Sequence, residues 1–453
     1  LGVAEALIGG MKAELDFETK QWYSATGAIH VLAVSGMHVA ILFWVLNASL
    51  GLVLNRKRLP FIITILALLW TYAVFTGLSP SVCRSTVMFS MIQLGIYFRR
   101  DDNPVNTLIL SAIILLIIMP NWLYDVGFQL SYMAVLGILV LLPSLKSAIT
   151  FRNRLLRWFW EISMVSIAAQ IFTLPLTLYY FHQFPNYFLI ANPLVSIVST
   201  LLLPLGLVVL LIYPVPVIGS FLGVILKYTI DVLNGVVFYI QNLPNALTTG
   251  LQISILSVAL LYLFIWIFVK YLEYPEARYA KSMALIALVL SSMGLYKVYE
   301  QNRQLELTFH FIPNGSGLSF IKGRNATFIS TDSLVNEPLI HQFHLKNYYD
   351  FSGIKNKNTG TIKEKGSWDF EIEKKKIQWI KGRIKTKINP DTDFLLISNN
   401  AGYYVENLKA YKGIVILDGS NSKRAIEKIK EENIEPQSKL VVLYDTGSKT
   451  FQL

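Results

Sequence analysis

Through its first 300 residues the chain repeats one pattern, an apolar run followed by a short polar break. A helix needs roughly 20 apolar residues to cross a hydrocarbon core. Such runs are predicted as spans at 29–54, 60–78, 81–98, 104–119, 123–142, 158–180, 187–213, 217–240, 252–272 and 280–298. With 53% hydrophobic and only 15% charged residues, against about 25% charged in soluble domains, the chain reads as a polytopic α-helical membrane protein. The eighth segment carries Lys227 and Asp231 four positions apart on one helical face, so it reads either as a span or as an amphipathic helix in the interface.

Charge divides the chain near Glu300, with 23 of its 40 basic and 17 of its 29 acidic residues in the last third. Two domains are expected: a polytopic helical domain over 1–300 and a small soluble α/β domain over 301–453. The single cysteine, Cys83, excludes a disulfide framework and a CxxC zinc site. A net charge of +11 suits a polyanionic partner, or merely the basic loops that orient membrane proteins. Those loops (Arg56-Lys57-Arg58, Arg99-Arg100, the group Lys146, Arg152, Arg154 and Arg157, and the group Lys270, Arg278 and Lys281) are expected on the cytoplasmic side, whereas 77–80, 120–122 and 182–186 carry no Lys or Arg. Ten spans would then place the second domain outside. Leu1 has no preceding Met, basic n-region or cleavage site, which predicts a start inside a helix of a longer sequence rather than a signal peptide.

From Leu305 onward the pattern changes to short β-rich runs at 305–312, 318–321, 326–330, 394–398, 414–417 and 440–444, separated by Gly, Asn and Asp turns. One helix is expected over 422–433, with Ala425, Ile426 and Ile429 on one face between two strands, a β-α-β unit. The Lys-rich stretch 355–387 reads as a solvated insertion or an edge hairpin.

Ionisable groups at bilayer depth are costly, at least about 2.5 kcal/mol each, and mark a bundle interior or a watery path. Arg84, Asp125, Glu161, Lys227 and Asp231 are the candidates. Asp125 and Glu161 read equally as helix caps, and Lys227 with Asp231 as an interfacial pair. His30 and His38 fall on about the same helix face, two turns apart, and read as packing or hydrogen-bonding groups, since a metal needs three or four ligands. Helix-interrupting residues recur at 33–38, 77–81, 125–129 and 192–194. Freed backbone groups at such breaks are tolerated inside protein or along a water-filled path, and small residues also serve close helix packing. Their recurrence favours a polar route.

The segments His30-Val-Leu-Ala-Val-Ser35-Gly36-Met-His38-Val, Gly77-Leu-Ser-Pro-Ser-Val-Cys-Arg84-Ser-Thr-Val-Met88 and Asp125-Val-Gly127-Phe128-Gln129-Leu-Ser131-Tyr-Met-Ala134-Val-Leu-Gly137 occur in this order. They resemble the motifs of the competence domain of ComEC-type DNA internalisation channels. Val165-Ser166 through Gln170, Leu174-Pro175 and Ile190-Ala191-Asn192-Pro193-Leu194 are similar to that family as well, and together the match covers roughly residues 1–210. The resemblance implies passage of single-stranded DNA across the bacterial inner membrane during natural transformation. It makes Ser35, Gly36, His38, Arg84, Asp125, Gly127, Phe128, Gln129, Gln170, Asn192 and Pro193 the conduit candidates. In many such channels the last domain resembles a metallo-β-lactamase with an HxHxDH metal motif. Here the histidines past residue 300 are His310, His341 and His344, and Ser398-Asn399-Asn400-Ala401-Gly402 stands where another His is expected. Two-metal phosphodiester chemistry needs a dense His and Asp cluster. The domain is therefore expected to be a degenerate, non-catalytic version of that fold, with no cofactor.

A strand path would combine cations with aromatic faces for stacking, and Tyr179, Tyr180, Phe181, His182 and Phe184 supply aromatics beside a loop, as do ordinary interfacial belts. A transporter of small solutes or ions with an external accessory domain fits the broken helices equally well. A membrane-anchored nuclease is disfavoured by the missing ligands. No GxxxxGK[ST] loop is present, so a separate ATPase or the proton gradient would drive transport. A separate DNA receptor and cytoplasmic single-strand-binding machinery are expected partners.

Overall fold

The computed structural model describes residues 2–10, 14–55, 58–98, 103–149, 151–212, 214–337, 340, 344–406, 408, 411–431 and 439–453. Arg56, Lys57, Arg99, Arg100, His341 and Asn433 lie outside the described residues. The chain forms two compact units, Leu1–Leu288 and Val289–Leu453.

In the first unit α1 (Gly2–Gly9) and α2 (Phe17–Ala25) precede α3 (Gly36–Val53), α4 (Leu59–Phe75), α5 (Pro80–Phe98), α6 (Pro104–Ile118) and α7 (Val126–Ala148). Then follow α8 (Arg154–Phe181), α9 (Phe188–Ile212), α10 (Pro216–Gln241), α11 (Ile255–Glu273) and α12 (Ala277–Arg303). The starts are written in the sequence. Asn103, Asp125, Asn153 and Ser254 accept hydrogen bonds from the free amides of α6, α7, α8 and α11, and proline opens α4, α6 and α10.

Among the described residues seven helices, α3 and α7 to α12, are long and apolar enough to cross a membrane, and α4 and α6 are shorter apolar helices. That is fewer than the ten expected spans. The difference from the sequence reading is sharpest at α5, whose nineteen residues include Arg84, Ser85, Thr86, Ser90 and Gln93. Its polar side chains are inside the unit: Val82 to Val87 and Gln93 are all buried. The run 29–54 also differs, because helix begins only at Gly36.

The ambiguous segment 217–240 is α10. It follows α9 after a three-residue turn and packs along it, and the strands flanking this hairpin, β1 (Gln183–Pro185) and β2 (Leu247–Thr249), pair antiparallel. Both ends of the hairpin are thus held together, so α10 runs antiparallel to α9 for its whole length. Leu233 and Val237 are buried beside Val195 and Leu202 of α9 and Tyr23 of α2.

The second unit stacks two five-stranded sheets. β3 (Leu305–Ile312), β4 (Gly315–Lys322), β5 (Asn325–Thr331) and β6 (Asn356–Ile362) form the first, with the last strand, β14 (Lys449–Gln452), on its edge in the order β14-β3-β4-β5-β6. The second has the order β13-β12-β10-β8-β7, from β7 (Gly366–Ile372), β8 (Lys375–Lys381), β10 (Phe394–Ser398), β12 (Ile414–Leu417) and β13 (Lys439–Val442). The short strands β9 (Thr386–Lys387) and β11 (Val405–Glu406) pair separately. Period-two alternation builds the layers. Leu307, Phe309 and Leu318 meet Ile377, Trp379, Leu396 and Ile416 between the sheets. The opposite faces carry Ile380, Leu395, Ile397, Val415 and Leu417 against Ile426 and Ile429, and Ile312, Ile321 and Phe328 against Leu345 and Tyr349. The helix Lys423–Glu431 joins the parallel neighbours β12 and β13, the β-α-β unit read from its apolar face.

The stretch 355–387 differs from its reading as an insertion. β6 and β7 are edge strands, but β8 is interior, parallel to β10 and antiparallel to β7. Its lysines cluster at the ends and conceal Ile377, Trp379 and Ile380, each at most 1% exposed.

Candidate functional site

α5 packs against α3, α4, α6 and α7, which places its polar face in the middle of the helical unit. Arg84 is 6% exposed. Its Nε donates to Ser131 Oγ of α7 at 2.9 Å, Nη2 to Ser85 Oγ at 3.0 Å and Nη1 to Met88 Sδ at 3.4 Å. The guanidinium lies 6.0 Å from the Tyr132 ring centre. None of the ion pairs among the described residues includes Arg84. A buried cation held by neutral partners keeps most of its attraction for an anion.

Gly36, the first residue of α3, makes this arrangement possible. A Cβ there would stand 2.3 Å from Arg84 Nη2 and 2.5 Å from Ser85 Oγ, closer than any side chain tolerates, so the helix start approaches the guanidinium only as glycine. Ser35 and His38 close that start as a capping box, with the Ser35 amide donating to His38 Nδ1 at 3.1 Å and the Ser35 hydroxyl 2.9 Å from the same nitrogen. His38 is 1% exposed and its Nε2 has no partner among the described residues; Thr86 Oγ1 and Gln93 Oε1 of α5 are buried in the same state. Unpartnered buried polar atoms are uncommon in folded proteins.

At the start of α7, Asp125 accepts the Phe128 amide at 2.8 Å. This is the cap reading of Asp125, an exposed residue. Gln129 Nε2 donates to the Leu123 carbonyl at 2.8 Å, and its Oε1 accepts the Tyr180 hydroxyl of α8 at 3.0 Å. Phe128 is buried with Cys83, Val87 and Leu115 and lies 4.4 Å from the Tyr132 ring, whose hydroxyl is 3.0 Å from Ser111 Oγ of α6. Gly127 is exposed, and a Cβ there would meet only the Asp125 carboxylate, at 3.1 Å.

The structure therefore brings Ser35, Gly36, His38, Arg84 and Phe128 into the region where α3, α5 and α7 meet, with Asp125, Gly127 and Gln129 at its α7 end. Gln170, half-buried in α8, has no side-chain partner among the described residues. Asn192 and Pro193 lie inside α9, which is continuous from Phe188 to Ile212 despite Pro193 and Pro204. Asn192 Oδ1 is buried without a partner among the described residues. Of the four expected interruptions, then, three are helix ends (33–38 and 125–129 at the starts of α3 and α7, and 77–81 between α4 and α5, with Gly77 and Leu78 at positive φ) and the fourth is no break. Glu161 is not a cap either: it sits inside α8 and pairs with Lys146 of α7 at 2.8 Å. Ser85, Ser131 and Tyr132 join the site beyond the residues read from sequence; Ser131 and Tyr132 follow Phe128 by three and four residues and so share its helix face.

In the second unit, where the resemblance placed metal ligands, the strand ends carry amides and hydroxyls. Asp418, 1% exposed after β12, accepts the hydroxyls of Ser398 and Ser420, the Ser420 amide at 3.0 Å and Asn421 Nδ2 at 3.2 Å. Burial pushes its carboxyl up from the usual range, against those hydrogen bonds. Asn399 and Asn400 hold positive φ, the latter bonding the Ser422 amide at 2.8 Å. His310 is buried in β3, 2.7 Å from Ser319 Oγ, and burial, with His344 adding to it, pushes its imidazole down to about 3. Among the described residues no group of three or more His, Cys, Asp or Glu is placed to hold a metal.

A multi-pass helical unit with a cation in its polar centre, followed by a double-sheet unit, defines the class. Residues 7–278 match the family described as Competence protein and residues 307–453 the ComEC C-terminal domain, and the chain belongs to the Competence protein family. It is similar to the ComE operon protein 3 of Bacillus subtilis (strain 168), 32% identical over 186 residues that make up 40% of this chain and 23% of that protein. It is also similar to an uncharacterized protein of Aquifex aeolicus (strain VF5), 29% identical over 170 residues, 38% of each chain. The matched stretches cover less than two thirds of either relative's length. No solved structure matches the chain significantly.

Proposed function

We propose that this chain is an inner-membrane channel that imports single-stranded DNA during natural transformation. The observation that carries the reading is Arg84: a cation 6% exposed, with neutral partners, in a polar helix that also buries Thr86 Oγ1 and Gln93 Oε1 without partners among the described residues. A phosphate is the charge such a site lacks, and the family supports that choice of anion. On this reading the chain crosses the membrane ten times, α4, α5 and α6 completing the seven longer helices, and the second unit is external. The pairing of β1 with β2 supports this count by tying the ends of α8 and α10 to one membrane face. The second unit is a degenerate metallo-β-lactamase-like domain without nuclease activity. A separate receptor delivers DNA, and a separate cytoplasmic ATPase or single-strand-binding machinery draws it in.

The test supplies fluorescent duplex DNA to competent cells with and without the gene, and with Arg84→Ala. Loss of the chain should leave DNA outside the inner membrane, and Arg84→Ala should lower uptake at normal membrane level of the protein. Undiminished uptake in the deletion strain would overturn the reading.

A further inference from the structure

Besides the groups around Arg84, α3, α4 and α5 bury a second set of polar atoms. His38 Nε2, Tyr72 Oη near the end of α4, Ser79 Oγ just before α5, Thr86 Oγ1 and Gln93 Oε1 are all without a partner among the described residues. His38, Thr86 and Gln93 are each at most 1% exposed. On α5 the hydroxyls of Ser85 and Ser90 bond the carbonyls four residues back, a usual way for a helix to satisfy them; Thr86 Oγ1 does not. Ser79, Thr86 and Gln93 recur every seven residues, so they form one stripe about 21 Å long against a ~30 Å hydrocarbon core. At ~100° per residue Thr86 is turned about 200° from Arg84, which puts the stripe on the side of α5 away from the guanidinium. Val82 and Phe89 share that side and pack with Val39 of α3 and Tyr72 of α4.

Chemistry limits what can use this stripe. A DNA strand finds no room among side chains so fully buried, and α3, α4 and α5 contain no Asp or Glu to balance a metal cation. Water suits neutral hydroxyls and amides, and with water comes the proton. His38 is the group here that changes charge near neutral pH. α3 packs against α4, α5 and α9, whose ionisable side chains are Tyr72, Cys83, Arg84 and Tyr97, with none on α9; tyrosine, cysteine and arginine ordinarily keep their protons at that pH. Exposed His30 precedes the helix, its Nδ1 3.0 Å from the Gly27 carbonyl. Because the Ser35 amide donates to His38 Nδ1, the neutral ring carries its proton on Nε2, the unpartnered atom. The half-buried Ser35 hydroxyl, 2.9 Å from Nδ1, can give that nitrogen its proton while taking one from water. The Nε2 proton then leaves, and tautomer exchange restores the ring, with one proton in and one out. The Arg84 charge beside Gly36 opposes a lasting imidazolium, so the proton moves on. We propose that α3, α4 and α5 enclose a proton path through the helical unit, entered at His38 and continued along Thr86 and Gln93.

The experiment uses the full chain in phospholipid vesicles that trap a pH-sensitive dye, with no DNA present, so its outcome is separate from that of the DNA reading. An acid step outside, under a valinomycin-clamped potassium potential, should acidify the lumen faster than in protein-free vesicles. Thr86→Val keeps the side-chain shape and removes the hydroxyl, Gln93→Leu removes the amide two turns further on, and His38→Gln removes the titrating ring. Each should slow acidification about tenfold, the rate equivalent of one lost buried partner. Thr86→Ser, which restores a hydroxyl, should recover most of the flux. Acidification no faster than in protein-free vesicles, or Thr86→Val and Gln93→Leu conducting like wild type at equal reconstituted amounts, would overturn the proposal.

Discussion

Replacing Gly36 with alanine tests whether the start of α3 and the Arg84 guanidinium are one mechanical unit. The new methyl would stand 2.3 Å from Nη2 and 2.5 Å from Ser85 Oγ, so the guanidinium must retreat by about 1 Å to reach ordinary contact. Retreat stretches the bond from Nη2 to Ser85 at 3.0 Å and the bond from Nε to Ser131 at 2.9 Å. A hydrogen bond to a charged group is worth about 1.5–3 kcal/mol, and overpacking costs about 1–3 kcal/mol. Because the flexible arginine yields part of the strain, the expected loss is about 2 kcal/mol, roughly 30-fold in the folding equilibrium. The assay is a denaturation midpoint in mixed micelles for four full-length chains: wild type, Gly36→Ala, Arg84→Ala and the double variant. With the guanidinium gone, the Ser85 hydroxyl can rotate away, so alanine at 36 should then cost less than about 0.5 kcal/mol, a coupling of about 1.5 kcal/mol. An equal cost in both backgrounds would refute the reasoning, since the penalty would then arise without Arg84.

Asp125→Ala removes the acceptor of the Phe128 amide and should cost about 1 kcal/mol, seen as lower steady-state membrane abundance; unchanged abundance with lost DNA uptake would instead place the carboxylate in the path. His310 is pushed down to about 3 by burial, so between pH 6.5 and about 3 the unfolded chain binds a proton that the folded chain refuses. Its contribution is whole above pH 6.5 and is lost on acidification at up to about 1.4 kcal/mol per unit. Protection factors of the β3 amides, corrected for the intrinsic exchange rate, should therefore fall less with acid in His310→Gln than in wild type; Asp418, whose raised carboxyl acts in the opposite sense, is common to both chains and drops out of the difference. Lys375 and Lys376 are paired with Asp393 and Asp391, and Lys381 is buried against Glu364, which leaves the exposed Lys374, Arg383, Lys385 and Lys387 without ion pairs among the described residues. Alanine at these four should weaken DNA retention by the full chain in nanodiscs and flatten its salt dependence, and retention indifferent to salt would exclude phosphate attraction. Metal analysis of the purified chain should find zinc and manganese far below one equivalent, and a stoichiometric ion would contradict a degenerate site.

What the sequence disclosed, and what it hid, follows from what each signal measures. Hydropathy reports the surface a helix turns to lipid, so it finds α3 and α7 to α12 and says little of α5, whose Arg84, Thr86 and Gln93 are buried inside the unit. Cap chemistry is local and was legible at Asp125, which accepts the Phe128 amide at the start of α7. The contact of Gly36 with Arg84 was not, because it joins residues 48 apart that share no pattern, and the same holds for Arg84 with Ser131. Prolines mislead for a related reason. Proline removes one backbone bond and crowds the preceding turn, but α9, flanked by α1, α3, α8 and α10, stays helical through that local cost, so 192–194 looks broken in sequence and is continuous in space. In β8 charge conceals burial, since lysines at both ends dominate any composition window while Trp379 at its centre donates to Ser398 at 2.8 Å. In each case the missing term is tertiary. An ionisable or helix-breaking residue can be assigned a role only after its neighbours are known: Arg84 is enclosed by Ser85 and Ser131, whereas Lys227 and Asp231 stand exposed on α10 with no ion pair among the described residues.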